Sequence, residues 1–237
     1  MIERIRAARR DPDLAVLEGF HALKHALRFG AEVEAVVATD PDELERLARE
    51  LAPDLAGRFR DLAVEVTAQE LRALGPSPPR TGVVAIARRP HVDVDAVLAD
   101  PRPAPVVLLS DPRDLGNLGA AVRVAAAADA AGVLTTGAHD PWDPAALRGS
   151  AGLHYALPVA HVETVEPRGR PLLAVDPAGE PFDVIPERAV LAFGSERHGL
   201  GADLLARADG RVRIPMRPGV SSLNLATAVA AVLFARS

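Results

Sequence analysis

The sequence predicts an α/β protein in two parts. Three observations carry that reading. Apolar runs of strand length alternate with helical spacings from Leu14 to Ala87. A stretch rich in Pro, Arg and Asp interrupts the alternation between Arg88 and Pro105. The alternation resumes at Val106, and three of the later strands end in polar loops carrying glycine or proline. At 237 residues the chain suits one large or two modest domains. The break at 88–105 reads as a linker, giving a first domain over 1–96 and a second over 104–237.

Residues 1–10 have the spacing of a basic amphipathic helix, with Ile2, Ile5 and Ala8 on one side. Leu14 to Leu17 is a short apolar run that stops at Glu18-Gly19. Phe20 to Phe29 has helical periodicity and ends at Gly30. Val33 to Ala38 is a strand. Thr39-Asp40-Pro41 then opens a helix, with proline at an early position, running to Leu51. Leu62 to Val66 reads as another strand. Thr67 and Glu70 form a capping box for a short helix to Leu74. Pro76 to Pro79 breaks the chain, and Gly82 to Ala87 is a buried strand. His21 and His25 stand four apart on a helix. That spacing can grip a metal, but no third ligand accompanies them, and no metal is expected.

Arg88-Arg89-Pro90 and the Pro-rich run 101–105 suit an extended linker. Val106 to Ser110 is the next strand. The loop from Asp111 to Gly119 leads into a helix over Ala120 to Ala131, closed by Gly132. A strand, a glycine-bearing turn and a helix suit a phosphate or nucleotide cradle, but the spacing matches neither a Rossmann fingerprint nor a P-loop. Arg123 on an otherwise Ala- and Val-rich helix needs a partner or a way out to solvent. Val133 to Thr136 is a strand, Asp143-Pro144 starts a short helix, and the small-residue loop Arg148 to Gly152 leads to Leu157-Pro158-Val159. Leu172 to Val175 and Val190 to Phe193 are strands. The second ends in the loop Gly194 to Gly201, where Glu196 either caps the helix near Ala202 or holds a ligand group. Val212 to Ile214 is a last strand. Ser221 or Ser222 is placed to cap the closing helix, Leu225 to Ala235, leaving Asn224 one turn in with its amide free. In a parallel sheet the loops at 111–123, 194–201 and 214–224 share one edge, the edge where open α/β sheets bind ligands.

Composition narrows the chemistry. The chain has no cysteine, which excludes disulfides, thiolate catalysis and Cys-ligated zinc. Hydrophobic residues make up 49%, enough for a substantial core, yet no run reaches the length of a membrane span. The reading is a soluble cytoplasmic protein with no membrane partner. The net charge of −5 means that any nucleic acid must find local basic patches. Aromatics at 3% argue against a base-stacking platform.

Taken together the three loops resemble the motifs of the SpoU/TrmH family of the SPOUT methyltransferase superfamily. The first family motif, N-x-G-x-x-x-R, is matched by Asn117, Gly119 and Arg123. The second, G-x-E-x-x-G after an apolar strand, is matched by Gly194, Glu196 and Gly199. The third, I-P-M and then S-L-N, is matched by Ile214-Pro215-Met216 and Ser222-Leu223-Asn224. Ser150-Ala151-Gly152 also resembles a family feature. The resemblance runs through residues 106–236. More loosely, residues 8–89 resemble the ribosomal-protein-like α/β substrate-binding domain often found ahead of it.

The resemblance implies methyl transfer from S-adenosyl-L-methionine to a ribose 2′-hydroxyl of RNA, ribosomal RNA in preference to transfer RNA. It also implies a C-terminal trefoil knot on a mainly parallel sheet, and a homodimer formed through that domain. An activated sulfonium donor needs no metal. By resemblance, Gly194, Ser195, Glu196, Gly199, Ile214, Met216 and Leu223 would surround the cofactor. Arg123, Asn117, Glu196, Ser222 and Asn224 would organise the catalytic side. The family role of general base does not suit Arg123, because a guanidinium stays charged; binding the RNA phosphate and stabilising the developing alkoxide does. Arg4, Arg6, Arg9, Arg10, Arg113, Arg148 and Arg197 are either RNA contacts or plain surface charges. The alternative from another class is a non-catalytic RNA-binding or ribosome-assembly protein that retains the knotted fold; intact Arg123, Glu196 and Asn224 speak against it.

Overall fold

The computed structural model of the protein describes residues 1–75, 78–181 and 184–235. Part of the chain break expected at Pro76 to Pro79, namely positions 76 and 77, lies outside these residues. In order the elements begin with α1 (Ile2–Ala8), β1 (Leu14–Glu18), α2 (Phe20–Arg28), β2 (Val33–Ala38) and α3 (Pro41–Leu51). After a single 3-10 turn come α4 (Ala56–Leu62), β3 (Ala63–Glu65), α5 (Ala68–Arg72), β4 (Val83–Arg88) and α6 (Val94–Ala99). Then follow β5 (Val106–Leu109), α7 (Leu115–Ala127), β6 (Gly132–Thr135), α8 (Pro144–Gly149), β7 (Val159–His161) and β8 (Leu172–Pro181). The chain closes with β9 (Val190–Phe193), α9 (Ala202–Arg207), β10 (Gly210–Arg213) and α10 (Leu225–Phe234).

The chain divides into two compact units: Met1–Pro90 with Trp142–Ala156, and His91–Pro141 with Leu157–Ser237. The first is built on a four-stranded sheet of order β1-β4-β2-β3, antiparallel except for the β2/β3 pair. Ile5 and Ala8 of α1 and Leu71 of α5 pack on Val16, Val37, Val84 and Ile86. Asp40 caps α3 by accepting from the Glu43 N–H at 2.9 Å, and the Thr67/Glu70 capping box is formed. Helix α4 was not foreshadowed by the sequence pattern. It follows a proline turn, carries Gly57, and rests on one large anchor: Phe59, whose ring stacks on Phe20 at 5.0 Å.

The segment 142–156 belongs to this first unit through long-range contacts. Arg148 and Arg9 both pair with the Glu18 carboxylate. His25 Nδ1 donates to the Ala151 carbonyl at 2.7 Å. Gly152 has φ +79°, and a Cβ there would lie 2.4 Å from the Ala22 carbonyl oxygen, so the close approach requires glycine. Ser150 Oγ donates to the Leu147 carbonyl at 3.0 Å and accepts from the Gly152 N–H at 3.1 Å, which fixes the small-residue loop.

The second unit is a six-stranded sheet of order β10-β8-β9-β5-β6-β7, parallel at every pairing. Every residue of β5, β6 and β9 is buried, as expected of strands covered on both faces. Three local expectations are corrected here. The stretch 88–105 is not extended throughout: Asp93 caps α6 by accepting from Ala96 N–H, and Val97 and Leu98 enter the core. Buried Arg170 donates to the carbonyls of Leu98, Asp100 and Ala104 at 2.7–2.8 Å, satisfying the end of that helix. Helix α7 starts five residues earlier than expected, because Asp114 caps it by accepting from Asn117 N–H at 2.7 Å. It also ends earlier, at a left-handed Asp129 (φ +51°).

Strand β8 is longer than the expected Leu172 to Val175, and it is broken. Leu173 and Ala174 pair with Gly210 and Arg211 of β10, and then Glu180 pairs with Val212. The β8 residues between Ala174 and Glu180 therefore stand out of step with β10. The step depends on Gly179, where a Cβ would come within 2.7 Å of the Arg211 and Val212 backbone.

Candidate active site

The site lies in the second unit, where β5, β9 and β10 end on one edge of the parallel sheet. After β9 the backbone closes on itself. Ser195 and Gly199 exchange both backbone hydrogen bonds, at 3.1 and 3.0 Å. A Cβ on Gly194 would lie 2.1 Å from the Gly199 carbonyl carbon, which accounts for the first glycine of the motif; the second sits at φ +65°. This closed turn presents Glu196. The carboxylate accepts from the Arg113 N–H at 3.2 Å and from Asn117 Nδ2 at 3.1 Å. Helix α9 is capped by Gly201, so Glu196 is not its cap.

Asn117 has its other amide atom engaged as well. Its Oδ1 accepts from Asn224 Nδ2 at 2.8 Å. Asn224 is the N-cap of α10: its Oδ1 accepts from Ala226 N–H at 3.0 Å and Thr227 N–H at 3.3 Å. This corrects the expectation that Ser221 or Ser222 caps the helix. The cap belongs to Asn224 because its amide serves two ends at once, and both serines stay exposed on the loop. The outcome is a directed relay, Asn224 to Asn117 to Glu196, joining the three loops. Burial disfavours the Glu196 carboxylate, but hydrogen bonds from its own backbone, from Asn117 and from Arg113 outweigh it, so its pKa lies below the ordinary carboxylate value.

Beside the relay is a cavity of about 380 Å³. Its walls include Phe193, Ile214, Met216, Leu223 and Leu225, with Gly194, Ser195, Gly199 and Ser222 at close approach and Glu196 at the edge. Asp176 and Pro177, displaced by the break in β8, close another side. Sequence reasoning missed Val175, Asp176 and Phe193: Val175 stands in register with Phe193 of β9, and Asp176 follows it in the part of β8 that is out of step with β10. Cavity size, apolar walls and a glycine cradle that a Cβ would fill suit a nucleoside-sized ligand, and the carboxylates Asp176 and Glu196 suit one bearing positive charge. Arg123 does not line the cavity. It is exposed on α7, about two turns beyond Asn117, without an ion-pair or hydrogen-bond partner among the described residues.

The other arginines singled out in the sequence divide. Arg4 pairs with Glu34, Arg9 and Arg148 with Glu18, and Arg113 with Asp111. Arg10 and Arg197 have no partner among the described residues. No group of three or more metal-ligating side chains occurs among the described residues.

The SpoU rRNA Methylase family matches residues 104–234, more than half of the chain and all three loops. The chain belongs to the SpoU rRNA Methylase family. Several of its relatives share nearly its full length. The 23S rRNA (uridine(2479)-2′-O)-methyltransferase of Streptomyces viridochromogenes is 30% identical over 91% of this chain and 79% of its own. The 23S rRNA (adenosine(1067)-2′-O)-methyltransferase of Streptomyces laurentii is 29% identical over 94% of this chain and 85% of its own. Among solved structures, the SpoU methyltransferase AviRb from S. viridochromogenes in complex with the cofactor AdoMet superposes with a TM-score of 0.80. It is 28% identical, covering 99% of this chain and 96% of that one. The SpoU match contains Asn117, Arg123, Gly194, Glu196, Ile214, Ser222 and Asn224, while β1 to β4 lie outside it.

Proposed function

We propose that this protein transfers a methyl group from S-adenosyl-L-methionine to a ribose 2′-hydroxyl of RNA, with ribosomal RNA the substrate in preference to transfer RNA. The observation that carries the reading is the Asn224–Asn117–Glu196 relay standing beside a cavity whose glycine cradle fits a nucleoside-sized cofactor. When bound, S-adenosyl-L-methionine supplies an electrophilic methyl on a sulfonium. Gly194, Ser195, Gly199, Ile214, Met216 and Leu223 hold it through close main-chain approach and apolar walls, and Glu196 lines the same cavity.

The chain's own groups do the positioning. Glu196 is anionic and has two donors, so it orders the Asn117 amide rather than collecting a proton. Asn224 fixes the other end, because its oxygen is committed to the α10 backbone. Ser222 adds a hydroxyl on the exposed side of the cavity. Arg123, exposed and without a partner among the described residues, receives an RNA phosphate and stabilises the alkoxide that develops at the 2′-oxygen.

The same reading extends to assembly. The C-terminal segment forms a trefoil knot; in support, the chain returns from the edge strand β10 and α10 packs against α7, the crossover helix between β5 and β6. The protein works as a homodimer through this unit. In support, α7 and α10 are apolar nearly all round, with Ala127 exposed and Ala228 and Ala231 half-buried. The unit built on β1 to β4 binds the RNA substrate, and the enzyme works in the cytoplasm. No helix among the described residues is long and apolar enough to cross a membrane.

The test is methylation of total RNA with labelled S-adenosyl-L-methionine, followed by mapping of the 2′-O-methyl position. Cofactor binding without transfer to any RNA would overturn the reading.

A further inference from the structure

Among the described residues of the second unit, six of eleven arginines are spoken for. Arg102 pairs with Asp100, Arg113 with Asp111, Arg168 with Asp95 and Arg207 with Glu166, while Arg170 and Arg188 donate to carbonyls. Among the described residues, Arg123, Arg197, Arg211, Arg213 and Arg217 have no partner, and all five are exposed. On an acidic chain this is selective. Within this unit carboxylates or carbonyls engage the other described arginines and leave these five bare.

Their placement is equally selective. Arg197 follows Glu196, Arg213 precedes Ile214, and Arg217 follows Met216; Glu196, Arg197, Ile214 and Met216 all line the cavity. Arg211 and Arg213 alternate with Val212 on β10, so they share one face, roughly 6.6 Å apart along the strand. β10 is the edge of the sheet, open to a partner lying alongside. The nearby acids do not compete. Asp209 accepts from the Leu172 N–H at 2.8 Å, and Glu180 stands in register with Val212 rather than with either arginine.

We infer that Arg211 and Arg213, with Arg217 continuing the line to the cavity mouth, form a track for the phosphates of the RNA strand that carries the target nucleotide. The inference rests on the methyl-transfer reading and adds the path of the substrate. Exposed cations that have no carboxylate partner among the described residues and lead to a site suit a polyanion.

The test uses the whole protein and an RNA that the wild type methylates. RNA affinity is measured across a salt series for wild type, Arg211→Gln/Arg213→Gln and Arg211→Lys/Arg213→Lys. Each lost phosphate contact lowers the slope of log affinity against log salt by about 1, so the Gln pair is expected to lose about 2 and to bind RNA more weakly on every sequence. The Lys pair keeps the slope, since lysine meets phosphate as a point charge. S-adenosyl-L-methionine affinity is measured alongside and stays at the wild-type value in both variants. An unchanged slope in the Gln pair overturns the track. So does a weakening that appears only together with lost cofactor binding. A wild type that methylates no RNA would instead overturn the function reading on which the track rests.

Discussion

Asn224 donates to Asn117 across 107 residues of sequence, at 2.8 Å, while its own carbonyl caps the helix that follows. One side chain thus sets the start of α10 and the orientation of the Asn117 amide. Asn224→Ala is expected to lower stability by about 1 kcal/mol through the lost cap. It also frees Asn117 to rotate, so methyl transfer falls further than stability explains. Denaturant unfolding and initial rates, compared in one variant, check this.

Asn117→Asp keeps an acceptor for Asn224 and places a second carboxylate against Glu196. The lost hydrogen bond to a charged group is on the scale of 1.5–3 kcal/mol, about 10- to 100-fold in rate. Asn117→Ser, smaller but uncharged, should cost less. Equal rates for the Asp variant and the wild type would remove the relay from the mechanism.

Gly194→Ala introduces a Cβ that would lie 2.1 Å from the Gly199 backbone. Both sides are main chain, so the closed turn must open. Cofactor affinity, read by titration calorimetry, is expected to drop at least about tenfold, the effect of roughly 1.4 kcal/mol.

Arg123 is exposed and without a bonding partner among the described residues, so Arg123→Ala should leave the unfolding free energy within about 0.5 kcal/mol of wild type. Cofactor binding is expected to stay intact while transfer falls about 10²- to 10³-fold, the scale of one lost donor to a developing oxyanion. Arg123→Lys keeps part of the phosphate contact. Loss of cofactor binding in the Ala variant would refute the assigned role.

Two groups give pH dependence of opposite visibility. Burial lowers the pKa of His25 against the raising effect of its bond to the Ala151 carbonyl, and Lys24, His21 and Arg28 add to the lowering. The folded state therefore prefers the neutral ring. The stability it contributes is complete above about pH 6.5 and is lost as pH falls through the lower folded value. His25→Gln is expected to flatten the change in unfolding midpoint between about pH 7.5 and 5.5. Glu196, also shifted down, contributes fully above its unfolded value and loses that contribution only in more acidic solution, outside the neutral range.

The strands, the parallel edge and the three loops were legible because each is written locally: apolar runs, glycines that a Cβ would violate, and an Asn-to-Arg spacing on one helix. What stayed hidden depends on distance. The β8 step that brings Asp176 to the cavity is a register relation with β10, and nothing near Ala174 announces it. Helix α6 was masked by proline- and arginine-rich surroundings, although its cap, Asp93, was in plain view. Asn224 outcompetes two adjacent serines as a cap, and its reason lies 107 residues away. The pairing of Arg148 with Glu18 spans 130 residues, so no local pattern could assign 142–156 to the first unit.

That assignment bears on how such a protein can be divided or inherited. The chain passes between its two compact units at 90/91, again at 141/142 and again at 156/157. The buried side chains of Trp142, Leu147 and His154 therefore belong to one unit while their peptide is anchored at both ends in the other. Cutting at the proline-rich stretch would strip the first unit of part of its interior and leave the second trailing an apolar loop. The two units are not interchangeable beads on a string, and a recombination that swaps one must carry fifteen residues from the middle of the other.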